Sequence, residues 1–167
     1  MLSEDQHKAI APKLRYVQIA AAAMIFVICV LAPVTFQISN WRFLAGTPKM
    51  LTVIAGFASL MMFSMSFSVP RIFSGSPDPD LPGKGALDSA FGMFTVETFI
   101  QFALLDGAAM MNLVVYSVEH HVVSLMFAAI AVLFMAFFFF PRASKASAVI
   151  SDKLRQQVSE KASDKSE

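Results

Sequence analysis

The residues best placed to do chemistry in this chain are acids and amides set among apolar neighbours. Glu97, Gln101, Asp106 and Asn112 lie in a stretch, roughly Gly92 to Val118, otherwise built of Phe, Leu, Ala, Met and Val. On a helix that turns about 100° per residue, Glu97, Gln101, Ala108, Asn112 and Glu119 fall within roughly 60° of one another, and Asp106 points nearly opposite. Two kinds of chemistry are open to this pattern. An intramembrane carboxyl can take up and release a proton or a sodium ion, with Asp106 the first candidate and Glu97 the second. The same four residues can instead be polar packing groups, a protonated Asp106 donating to a serine or a backbone carbonyl on another helix. Ala103, Gly107, Ala108 and Ala109 would let that helix approach closely. An ionised carboxylate in the middle of a span costs about 2.5–3.5 kcal/mol on insertion scales. No Lys or Arg lies inside an apolar run, so a salt bridge there calls for a partner protein or a cation. The packing role is the preferred expectation.

Other groups that invite a chemical role are weaker. His120 and His121 sit at a short turn between apolar runs, where adjacent residues diverge by about 100° and do not readily share a metal; they read as polar caps. Asp78 and Asp80 lack the spacing and terminal Glu of a calcium loop, and Gly83-Lys84-Gly85 lacks the upstream Gly and following Ser/Thr of a phosphate loop. The single cysteine, Cys29, lies within the first apolar run and has no partner in the chain. No Ser-His-Asp set, metal-ligand spacing or glycine-rich nucleotide loop is present, which weighs against an enzyme. Membrane-embedded glutathione transferases share the number of spans and the length, but their arginine-rich cytoplasmic segment has no counterpart here. No cofactor or metal is expected. The formal net charge of +1 argues against a nucleic-acid partner, which needs a concentrated basic face.

These side chains must be positioned by helices in a bilayer. In 167 residues, 56% are hydrophobic and only 15% charged, with mean hydropathy +0.62; water is not the main solvent. About 20 apolar residues in a helix cross a hydrocarbon core about 30 Å thick, and four segments meet that length: about 16–38, 49–69, 92–118 and 122–140. Pro33 is expected to kink the first, and Pro70 to end the second. A cleaved leader is the rival reading of the first segment; its long apolar stretch and the lack of a small-x-small site favour a retained helix. Ser59, Ser64, Ser66 and Ser68 in the second span can bond to their own backbone or across to a neighbour. Ser74 to Gly85 is dense in turn residues and reads as a loop. The fourth span, ending in four Phe residues, is expected to face lipid over much of its surface. Beyond it, Val149, Ile150, Leu154 and Val158 recur at helical spacing in a polar tail, the pattern of a short amphipathic helix along the membrane surface that frays at its end. The expected organisation is an N-terminal arm over 1–15, a four-span domain over 16–140 and a tail over 141–167. The fold class is all-α, a four-helix transmembrane bundle with a short amphipathic C-terminal tail.

Lys and Arg near span ends collect on the cytoplasmic side. Lys8, Lys13, Arg15, Arg71, Lys84, Arg142 and Lys145 fall on one side, against Arg42 and Lys49 on the other, so both termini are expected in the cytoplasm of a bacterial inner-membrane protein. The stretch Phe102 to Tyr116, with its Asp-Gly-Ala group followed by Asn-Leu and a Tyr, resembles a segment of a family of small four-span bacterial membrane proteins, a likeness that covers mainly the third helix and implies no activity. An acid followed by small residues and an aliphatic run also resembles the ion-carrying helix of rotary ATPase c subunits, which would make Asp106 or Glu97 the ion carrier. The chain departs from that pattern in having only 7 Gly, none in a repeated Gly-x-Gly series, and in its long second connection. The expectation is a structural or accessory membrane subunit, with the bilayer and a homo-oligomer or membrane complex as partners; a proton- or sodium-handling subunit is the alternative.

Overall fold

The computed structural model describes residues 4–38, 47–72 and 84–164. Among these the chain is all helix: α1 (Glu4–Ile38), α2 (Met50–Ile72), α3 (Lys84–Glu119), α4 (Val122–Phe134) and α5 (Ala143–Asp164), with α4 widening into one π turn at Met135–Phe139. Four helices are long and apolar enough to cross a bilayer, so the molecule is a multi-pass membrane bundle. Most of the expected loop, together with Arg42, lies outside the described residues.

The contacts divide the chain into two compact units. A span unit comprises residues 21–68 and 100–140, and a terminal unit comprises 1–20, 69–99 and 141–167. Charge follows the same division, since among the described residues only Lys49, Asp106 and Glu119 of the charged residues belong to the span unit.

The core of the span unit is formed by Ala21 and Ile28 from α1, Phe102, Leu105, Ala109 and Leu113 from α3, and Ala128, Ala131, Met135 and Phe139 from α4 and its π turn. Spacings of three and four residues on α3 and α4, and of seven on α1, put each set on one face. The opposite faces of α1 and α4 carry Phe26, Val30, Met126, Ile130 and Leu133, and α2 carries Leu60 and Met61, all exposed, as lipid-facing surface requires. Gly56 marks a close approach: a Cβ there would lie 3.1 Å from the Phe127 ring. Of the four candidate spans, α3 has the largest buried share, 44% of its most apolar window against 11% for α1. It is the helix on which the others are organised.

Several boundaries differ from expectation. At 35 and 36 residues, α1 and α3 reach about 52–54 Å, well beyond the roughly 30 Å of a hydrocarbon core. The excess residues are amphipathic and pack in the terminal unit. Ile10, Leu14 and Val17 of α1 meet Leu87, Ala90, Phe91 and Phe94 of α3 and Ala146 and Ile150 of α5. The arm before Tyr16 is therefore helical from Glu4, and α3 begins at Lys84, so the last two residues of the expected loop are helix. The tail forms α5 as expected, but it does not lie with its apolar face on lipid: Ala146 and Ile150 are in the core, with Val149 and Leu154 packed against it, and Val158 alone stays exposed.

The second span also runs on past Pro70 to Ile72. A proline in a last turn removes one helical bond, the one from its own missing N–H to the carbonyl four residues back. Here that carbonyl belongs to Ser66, and it finds another donor, described below. The fourth span stays regular only to Phe134, and its last residues before Pro141 form the π turn.

Candidate functional site

Glu97, Gln101, Asn112 and Glu119 are all buried, between 0% and 6% exposed, and together form a polar seam along α3. Each has a different partner, and each partner supplies what the local chemistry lacks.

Gln101 donates from Nε2 to the Ser66 carbonyl at 3.1 Å. This is the acceptor that Pro70 leaves without a helical donor, so the amide repairs the gap and joins α3 to α2. Asn112 donates from Nδ2 to the Ser59 hydroxyl and, at 2.8 Å, to the Ala108 carbonyl of its own helix. Both Asn112 and Ser59 are fully buried. Ser66 and Ser68 bond back to the carbonyls of Phe63 and Ser64, as expected of serines in an apolar helix.

Glu119 is the last residue of α3, where the helix dipole disfavours an acid. Its carboxylate lies instead at the start of α2, accepting from Leu51 N at 3.2 Å, Thr52 N at 3.0 Å and Thr52 Oγ1 at 2.7 Å. These are amide donors that a helix cannot satisfy itself, and the anion sits at the favourable end of the α2 dipole. The turn that follows is built from both histidines. His120 takes a left-handed φ of 55° and donates its N–H to the Tyr116 carbonyl at 2.8 Å, closing α3. His121 is the N-cap of α4, its Nδ1 accepting from Val123 N at 3.3 Å. The His121 side chain thus caps α4 while the His120 backbone closes α3, and no group of three metal-ligating side chains occurs among the described residues.

Glu97 belongs to the terminal unit. Its carboxylate accepts from Lys153 Nζ of α5 at 2.6 Å, and both side chains are only 7% exposed. A bridge for the second candidate acid thus exists, supplied by the tail of the same chain rather than by a partner protein or a cation. Burial lowers the Lys145 ammonium below its ordinary value of 10.5, and the nearby Glu97 charge partly offsets this. Two lysines therefore face one carboxylate. An exposed pair, Lys13 with Asp88 at 2.7 Å, also joins α1 to α3.

Asp106 stands apart. It is half-buried in the span unit and makes no hydrogen bond or ion pair among the described residues; the expected bond to a neighbouring helix is not formed. It is nine residues from Glu97, which places the two acids on opposite sides of α3. Comparison with protein-family models, curated proteins and solved structures yields no match.

The site therefore rests on its geometry alone, and that geometry is one of joints between helices. A cavity of about 400 Å³ in the span unit is lined by apolar groups, among them Ile28, Cys29, Leu113, Ala128 and Val132. It lacks the convergent polar groups that orient a substrate. Sequence reasoning missed Lys153, Thr52 and Gln18 as partners, whereas Ser59 was among the serines expected to bond across to a neighbouring helix. Of what it missed, only the orphaned Ser66 carbonyl was open to inference, because a proline inside a helix always leaves one.

Proposed function

We propose that this chain is a structural or accessory subunit of a bacterial inner-membrane complex, with α3 as the scaffold onto which its other helices are fastened. One observation carries the reading: each polar side chain of the seam is engaged in a joint. Gln101, Asn112 and Glu119 bind α2, and Glu97 binds α5. Groups engaged in this way hold helices together in a medium that offers no competing water.

The orientation with both termini in the cytoplasm draws support from two facts. The terminal unit contains the start of α1, the end of α2, the start of α3 and α5, the segments that an even number of spans puts on one side. Among the described residues it also contains every Lys and Arg except Lys49.

Asp106 supports a second reading. A half-buried carboxyl in a span without a protein partner is the arrangement from which an ion carrier works. Reconstitution separates the two. Proteoliposomes with an imposed proton or sodium gradient should leak no faster with the parent chain than without it, and Asp106→Asn should change nothing. Ion flux by the parent that Asp106→Asn abolishes, with helix content and melting temperature retained, would replace the scaffold reading by ion handling.

A further inference from the structure

The terminal unit contains a groove of about 310 Å³ between the N-terminal part of α1 and the start of α5. Its floor is apolar, formed by Ile10, Ala11 and Leu14, and its polar rim is Arg15, Gln18 and Ser147. Arg15 is exposed and makes no hydrogen bond or ion pair among the described residues. Gln18 donates one amide N–H to the Pro141 carbonyl at 2.8 Å, which leaves its second N–H for a ligand. Among the described residues no carboxylate lines the groove. Its open valence is thus one guanidinium and one amide donor over hydrocarbon.

The groove also lies at a definable level. Arg15 directly precedes Tyr16, the start of the first apolar run, and Tyr16 is 75% exposed. Pro141 directly follows the last apolar run, and the Gln18 bond ties the two ends together. An arginine next to an exposed tyrosine at the end of a span is the signature of the bilayer interface. At 310 Å³ the groove is at the small end of ligand pockets; it admits a headgroup and leaves acyl chains to the exposed Tyr16 and Ile19 side chains.

We propose that this groove binds the phosphate headgroup of an anionic phospholipid, with Arg15 as the ion-pairing residue, Gln18 as the second donor and α5 as the wall. Basic pockets between helices at the cytoplasmic interface take such headgroups, and the apolar floor disfavours free phosphate. The proposal rests on the reading of the chain as a membrane protein.

The test uses the full chain, purified in nonionic detergent and stripped of lipid. It is titrated with short-chain phosphatidylglycerol, with phosphatidylcholine of the same chains, and with sodium phosphate, and binding is followed by native mass spectrometry. Phosphatidylglycerol should bind saturably and about fivefold tighter than phosphatidylcholine, the preference one arginine near the surface supplies. Arg15→Gln should abolish that preference, and Ala11→Phe, which fills the groove without removing charge, should abolish saturable binding of both lipids. Equal binding of the two lipids by the parent, or an unchanged preference in both variants, would overturn the site. Sodium phosphate binding as tightly as phosphatidylglycerol would overturn the lipid in favour of a free anion. A chain that stays monodisperse in water without detergent would instead remove the membrane reading itself.

Discussion

Breaking the Glu97–Lys153 pair tests how α5 is held. The two side chains meet at 2.6 Å and are each 7% exposed, so removing one partner takes a close counter-charge from a buried ion. Such losses run to about 3–5 kcal/mol, whereas replacing both partners by apolar groups of similar size is often neutral or stabilising. The surroundings make the two single changes unequal. In Lys153→Met, the Glu97 carboxylate still has the field of Lys145; in Glu97→Leu, both lysines lose the carboxylate they share. Glu97→Leu should therefore cost more than Lys153→Met, and the double variant less than either. Hydrogen exchange of the α5 amides in detergent reads this locally. A loss of 3–5 kcal/mol speeds exchange by roughly 10²–10³-fold or more. If both single variants exchange within fivefold of the parent, or the double variant is the worst of the three, the pair does not hold α5 and the reasoning fails.

Three further outcomes follow from the joints. Gln101→Leu leaves the Ser66 carbonyl unpaired and should lower unfolding free energy in bicelles by about 1–3 kcal/mol; adding Pro70→Ala, which restores a helical N–H for that carbonyl, should recover most of the loss. Glu119→Ala strips the anion from the start of α2 and should cost about 1–2 kcal/mol, with loss of exchange protection at Leu51 and Thr52 and little change at α5. For pH, the folded-state value of Lys145 is lowered while the unfolded value stays near 10.5, so between the two the unfolded chain binds more protons and stability rises with pH. Lys145→Met should remove that rise in a denaturation series run across the alkaline range.

The membrane architecture was legible because a bilayer imposes long apolar runs, and four such runs are present. The seam on α3 was legible too: helical periodicity alone placed Glu97, Gln101, Asn112 and Glu119 on one face, and burial follows that face. What escaped was whatever depends on distant pairing. Lys153 is 56 residues from Glu97, in a polar tail whose spacing predicts a helix without saying what it covers. Hydropathy finds the runs that face lipid but not amphipathic extensions, so the first turns of α1 and α3 were read as arm and loop. Pro70 misled in the same way, because a proline ends a helix only when nothing else satisfies the carbonyl it orphans, and here Gln101 does. Asp106 was singled out by its cost in a span, and its place apart from the seam agrees with the helical geometry; its missing hydrogen bond could not be read from one helix alone.

The central claim is that the seam on α3 joins helices, and the Asn112–Ser59 contact tests it most directly, because both side chains are fully buried and they lie on different helices. A double-mutant cycle with Asn112→Ala and Ser59→Ala, measured as unfolding free energy by steric trapping in bicelles, isolates that joint. Polar contacts between helices in membranes contribute about 0.6 kcal/mol on average and up to about 1.7, and the account predicts a favourable coupling in that range. A coupling of zero, with each single variant as stable as the parent, would contradict it.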